Sequence, residues 1–182
     1  LGSPQAIKSL GKWQDVSQAN INWQGLGEFL DELSRHQLGV NVATLVGHNT
    51  LRRGVIGEEV RPLQPEEILK MHYLIRKSIE EGAFGFSTSL ANAHEDVSTT
   101  EELTAIVRIL GTSGGIYKTH LRNEGRDLLP AVNEVISIGR ETKAPVSISH
   151  LKAMGQRGWA SYPKAIKMIE RAREDGINIH FD

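Results

Sequence analysis

Cysteine is absent from all 182 residues, so no disulfide framework and no cysteine-ligated metal site can exist within this chain. No apolar run approaches the ~18 residues that a membrane helix needs, and no signal-peptide pattern is visible. The protein is expected to be cytoplasmic and without a membrane partner. An excess of one charge sign is missing too. The formal net charge is -1, and the basic residues form no stripe, which argues against nucleic acid as the main partner. What is present is ordinary for a soluble globular protein: 39% hydrophobic and 24% charged residues. The length suits one domain with a buried core, here residues 1–182. The chain begins at Leu1 rather than Met and stops at Asp182 directly after an apolar run. It is expected to be an internal piece of something longer.

The hydrophobic periodicity alternates between two kinds. "GLGEFLDEL" places Leu26, Phe29, Leu30 and Leu33 at helical spacing, whereas the β-branched "GVNVATLVGH" of 39–48 predicts a buried strand. A helix follows over 64–82, with Pro65 where a first turn tolerates it and Gly82 as a stop. The pattern then predicts strands at 83–90, 115–121, 145–151 and 177–182, separated by helices at 98–110, 126–142 and 161–176. The early "WQDVSQANINWQG" is expected to be a polar approach loop packing through Trp13 and Trp23. Five strands alternating with helices through short connections predict a parallel sheet covered by helices, closed as a barrel or open.

In parallel α/β folds the chemistry sits at the carboxyl ends of the strands. That rule selects His48, the Ser87–Thr88–Ser89 group, His120 with Arg122 and Asn123, His150 with Lys152, and Asp182. Imidazole is a common zinc ligand, and histidines ending neighbouring strands can converge on one ion. His120 and His150 end consecutive predicted strands and are each followed two residues later by a cation. A metal-ligand role is therefore preferred to two unrelated core histidines. Positions i and i+2 of a strand share a face, so Arg122 and Lys152 are expected to point at one cavity and bind substrate. The bland alternative for Arg122 is a surface salt bridge to Glu124. His48 sits in a glycine-marked loop and is expected to brace it by hydrogen bonds. His36, His72 and His94 read as structural. No G-x-S-x-G elbow surrounds the serines, and no phosphate-binding glycine motif occurs.

Together "NVATLVGHNTLRRGVIG", "EEGAFGFSTSL", "YKTHLRNEG" and "PVSISHLKA" resemble the N-acyl-D-amino-acid deacylases (D-aminoacylases) of the amidohydrolase superfamily. The resemblance runs from about Asn22 to Asp182. It implies a partial TIM-like (β/α)8 barrel of the metal-dependent hydrolase type, with this chain supplying strands three to seven. It also implies zinc as cofactor, with His120 as the fifth-strand ligand, His150 as the sixth-strand ligand and Lys152 as a substrate contact. The family's His-x-His pair, ligand cysteine and eighth-strand aspartate, the general base, have no counterpart here. After "FST" the family often has glycine and then an aromatic residue, where this chain has Ser89-Leu90-Ala91-Asn92.

The activity so implied is hydrolysis of an N-acyl-D-amino acid to a carboxylate and a D-amino acid. The 182-residue piece alone is expected to be inactive, with the remainder of its own barrel as partner. Its open sheet edges invite self-association. Two other readings stay open from the residues alone: another metal-dependent amidohydrolase of dihydroorotase or hydantoinase type, and a non-catalytic α/β scaffold domain.

Overall fold

A computed structural model describes residues 7–8, 11, 15–16, 21, 23–36 and 38–182. Trp13, half of the expected approach-loop packing, lies outside them. Trp23 meets the edge of Phe29 at a ring-centroid distance of 5.0 Å.

The elements run α1 (Leu26–Ser34), β1 (Val46–Gly47), α2 (His48–Ile56), α3 (Pro65–Glu80), β2 (Gly85–Ser89), α4 (Ala93–Asp96), α5 (Thr100–Val107), α6 (Leu110–Ser113), β3 (Ile116–His120), α7 (Leu128–Thr142), β4 (Val146–Ile148), α8 (Gln156–Trp159), α9 (Tyr162–Glu174) and β5 (Ile179–Phe181). The helix boundaries have local causes. Gln64 and Glu67 form a capping box at the start of α3, with Pro65 in its first turn. The Thr99 side chain accepts the Glu102 N–H at the start of α5.

All five strands are parallel, and their spatial order equals their sequence order, β1-β2-β3-β4-β5. A doubly wound sheet reverses its strand order and places helices on both faces. Here every connection steps in one direction, and right-handed crossovers then lay all the helices on one side. The result is an arc of a barrel. Phe86, Tyr117, Val146 and Ile148 pack under the helices with Leu103, Ile106, Val132, Val135 and Ile169. The other face carries a row in register: Ser87, Lys118, Ser147 and His180.

Two expectations need correction. The first strand is much shorter than 39–48, although the pairing begins earlier, with Phe84 N–H donating to Thr44 O at 2.9 Å. The "GHNTLRRGVIG" segment is a helix rather than a loop. It buries Leu51, Arg52 and Ile56 on one face, and its stop is Gly57 at φ 66°. The sequence hid this because the buried face includes an arginine. Arg52 is fully buried, donating to Glu102 Oε1 at 2.8 Å and Ser98 Oγ at 3.2 Å. Among the described residues no helix is long and apolar enough to cross a membrane.

Candidate metal centre

β3 ends at His120, and its in-register neighbour on β2 is Ser89. β4 ends at Ile148, so His150 lies two residues beyond the strand, in a turn with φ 39°. That conformation costs a non-glycine residue roughly 1–2 kcal/mol and must be held by its surroundings. The His150 N–H donates to the Asp182 carboxylate at the end of β5, and Lys118 pairs with the same carboxylate. Leu151 N–H donates to Asp182 O at 2.8 Å, and Asp182 N–H to Ile148 O at 3.1 Å. The end of β5 therefore fixes the turn that presents His150. Lys118, followed by the His150 N–H, holds the Asp182 carboxyl below its ordinary pKa.

Thus presented, His150 turns Nε2 toward Nδ1 of His120 at 2.9 Å. The rings meet edge to face with centroids 4.5 Å apart. Behind them stands Glu124, nearly buried, from the loop after β3. Its carboxylate oxygens each lie 2.7 Å from Lys152 Nζ, one lies 3.1 Å from His150 Nδ1 and the other 3.8 Å from His120 Nε2. Asn123 shapes that loop by accepting the Gly125 and Asp127 N–H groups on Oδ1, and Met154 N–H donates to Glu124 O at 2.6 Å. The β3 and β4 loops are thereby tied together. Burial lowers the His120 pKa. Glu124 opposes that shift, and the charges of His150 and Lys152 reinforce it. The net effect favours neutral imidazole, the form that ligates metal.

Among the described residues, His120, Glu124 and His150 form a group that could hold a metal ion, each offering a ligand atom within 4.8 Å of the others. Two imidazoles and a carboxylate are a donor set suited to zinc. The two facing nitrogens stand slightly closer than the roughly 3.3 Å that tetrahedral ligands at about 2.0 Å imply, so small ring rotations would admit an ion. The residues fit the group.

The two predicted cations part company. Lys152 reaches the centre, its Nζ lying 2.8 Å from His150 Nδ1. Arg122 does not share that cavity. Its Nε and Nη2 donate to Glu134, Nη2 also to Ser98 O at 2.8 Å, and Nη1 to Asp96 O at 2.5 Å. The strand ends at His120, so the two-residue alternation no longer governs Arg122. Glu124 was the residue missed by sequence reasoning, which offered it only as a partner for Arg122. Its signal was weak, an acid four residues after His120 in an asparagine-shaped loop. His48 does brace its surroundings: Nδ1 lies 3.1 Å from Glu95 Oε2. His72 Nε2 contacts Ala105 O at 2.7 Å, and His94 is buried.

No family model matches the chain. Individual proteins do. It is 38% identical over 153 residues to the D-aminoacylase of Alcaligenes xylosoxydans xylosoxydans, covering 84% of this chain and 32% of that protein. It is 34% identical over 143 residues to the N-acyl-D-glutamate deacylase of the same organism, covering 79% and 29%. Among solved structures, the N-acyl-D-glutamate deacylase of Bordetella bronchiseptica, complexed with zinc and a phosphonate inhibitor, superposes with a TM-score of 0.84 at 31% identity. That match covers 87% of this chain and 33% of the other. The L-hydantoinase of Arthrobacter aurescens, at 20% identity and a TM-score of 0.57, shares the fold. The chain spans about a third of the length of the curated relatives it matches. Sequence and fold agree that the chain is homologous to a part of the D-aminoacylase and N-acyl-D-glutamate deacylase proteins.

Proposed function

We propose that this chain is strands three to seven of a deacylase barrel that hydrolyses N-acyl-D-amino acids to a carboxylate and a D-amino acid. His120 and His150 would hold zinc. The observation that carries this reading is the 2.9 Å approach of two ring nitrogens from neighbouring strand ends, backed by a nearly buried carboxylate. When bound, zinc supplies Lewis-acid polarisation of the scissile carbonyl and activation of water.

The chain's own groups prepare the rest. His150 Nδ1 has two neighbours, Lys152 Nζ and Glu124. Lys152 Nζ, the nearer at 2.8 Å, can only donate to Nδ1; once Lys152 turns to substrate, Nδ1–H can donate to Glu124, 3.1 Å away, and the Nε2 lone pair is left free to ligate. Lys152, released from one Glu124 oxygen, can meet a substrate carboxylate or the scissile carbonyl as a point charge. Arg122, by contrast, ties α4 and the loop that follows it to α7. The exposed edges of β1 and β5 are where the remaining strands of the barrel would pair, and without them the same edges would promote self-association. Cytoplasmic location is part of the proposal, since these 182 residues hold no disulfide that would need an oxidising compartment.

The test is deacylation of paired N-acyl-D- and N-acyl-L-amino acids by the intact protein, beside a Lys152→Met variant. D-selective release of the amino acid, weakened in the variant, is expected. Turnover of cyclic imides or hydantoins in place of the linear amides would favour the hydantoinase-type reading, whose fold this chain shares.

A further inference from the structure

A second pair of buried ionisable groups lies outside the metal centre. Glu95 of α4 and His48, the first residue of α2, are 2% and 0% exposed. Burial of a carboxylate at this depth is costly unless it is hydrogen-bonded, and the retained bonds indicate what it holds. Glu95 Oε2 accepts from His48 Nδ1 at 3.1 Å and from the Ser89 N–H at 2.8 Å. His48 is packed in turn against the Phe86 ring of β2, with centroids 5.5 Å apart. With Glu95 accepting, the His48 proton sits on Nδ1, and Nε2 is buried without a partner. Among the described residues, Glu95 is thus the hydrogen-bond partner that orients the imidazole, with the Phe86 ring packed beside it.

The restrained atom matters because of where Ser89 lies. It is the last residue of β2 and the in-register neighbour of His120. The next residue, Leu90, donates its N–H to His120 O at 3.2 Å. A single carboxylate oxygen therefore fixes the end of β2 one peptide away from the bond that holds the His120 backbone. Asn92 O caps the turn of the same segment, accepting the Glu95 N–H at 2.8 Å. The strap closes on itself: strand end, turn, α4, and back to the strand end through the Glu95 side chain.

We infer that Glu95, clamped by His48, is a positioning residue for the metal centre, holding the β2 rim so that His120 keeps the orientation that faces His150. This inference rests on the proposed metal site. A purely structural acid would lower the melting temperature of its variant without changing how the folded protein holds an ion. A positioning acid changes the latter.

The experiment measures Zn²⁺ affinity by competition with a chromophoric chelator, and the visible spectrum after Co²⁺ substitution, in the intact protein and its Glu95 variants. Glu95→Ala is expected to bind at least about tenfold more weakly, within the range typical of lost outer-shell support, and to shift the Co²⁺ bands. Glu95→Gln keeps an oxygen acceptor for Ser89 and His48 and is expected to restore most of the affinity. If the alanine variant does not fold, Glu95→Asp carries the same test, because shortening by one methylene withdraws the carboxylate from the Ser89 N–H. Native affinity and an unchanged Co²⁺ spectrum in a folded Glu95→Ala or Glu95→Asp protein would overturn the inference and leave the metal site standing. Failure of the native intact protein to bind metal would overturn the site itself, and this inference with it.

Discussion

His120 Nδ1 and His150 Nε2 lie 2.9 Å apart although thirty positions separate them in the chain. The contact is produced by the parallel pairing of β3 with β4 and by a left-handed turn at His150, pinned through Asp182. No local sequence preference would create it.

The carboxylate behind this pair should control the metal. Glu124→Gln keeps the shape but donates where the carboxylate accepted, so it should disturb both the His150 tautomer and the hold on Lys152. A loss of roughly 10–100-fold in zinc affinity is expected, measured by chelator competition on folded protein. An unchanged affinity would show that Glu124 only neutralises Lys152.

Arg122 and Lys152 occupy similar sequence positions but should respond differently. Arg122→Met removes charge-assisted bonds to Glu134, Asp96 and Ser98 and should cost roughly 2–3 kcal/mol in urea unfolding, with KM unchanged in the folded enzyme. Lys152→Met should raise KM by about tenfold or more, and should also cost roughly 1–3 kcal/mol of stability, because it leaves the nearly buried Glu124 carboxylate without its cation. A rise in KM for Arg122→Met would return it to the substrate site.

The acid limb of stability should report Glu67. The Arg61 guanidinium, aided by the Gln64 N–H, depresses its pKa from an ordinary 4.5 to about 2. Its folded value lies below its unfolded value, so its contribution is fully present above about pH 4.5 and disappears as pH falls toward 2. The native protein and Glu67→Gln should therefore differ in unfolding free energy at neutral pH and converge near pH 2. The pair is partly exposed, so the difference should be modest and shrink with added salt. A gap that persists at pH 2 would place its origin elsewhere.

Gly85 of β2 lies directly against the backbone of Ile116 on β3. A Cβ there would stand 2.0 Å from Ile116 O and 2.6 Å from Ile116 N, at a backbone φ of 153°. Backbone cannot yield as a flexible side chain does, so Gly85→Ala should break the β2–β3 register or abolish soluble expression. Near-native circular dichroism and melting for this variant would contradict the register between Gly85 and Ile116.

Much of this architecture was legible in the sequence, because each long helix shows its buried face at helical spacing. Leu103, Ile106 and Val107 are one case, and Val132, Val135 and Ile136 another. The strand-end histidines were legible for a similar reason, since both follow short β-branched runs. Three features were not. α2 was disguised by burying Arg52, whose partner Glu102 is fifty residues away. Arg122 was misplaced because alternation was extended past the end of the strand. Glu124 and Glu95 acquire their roles through contacts across loops, and no period in the sequence encodes those.

The central claim is that two strand ends converge on one ion. The direct measurement is zinc stoichiometry of the intact protein, purified alongside a His120→Ala/His150→Ala double variant, with circular dichroism to establish that both are folded. The account predicts bound zinc in the native protein and a loss of the ion held at this site in the variant. Equal zinc content in two folded proteins would contradict it.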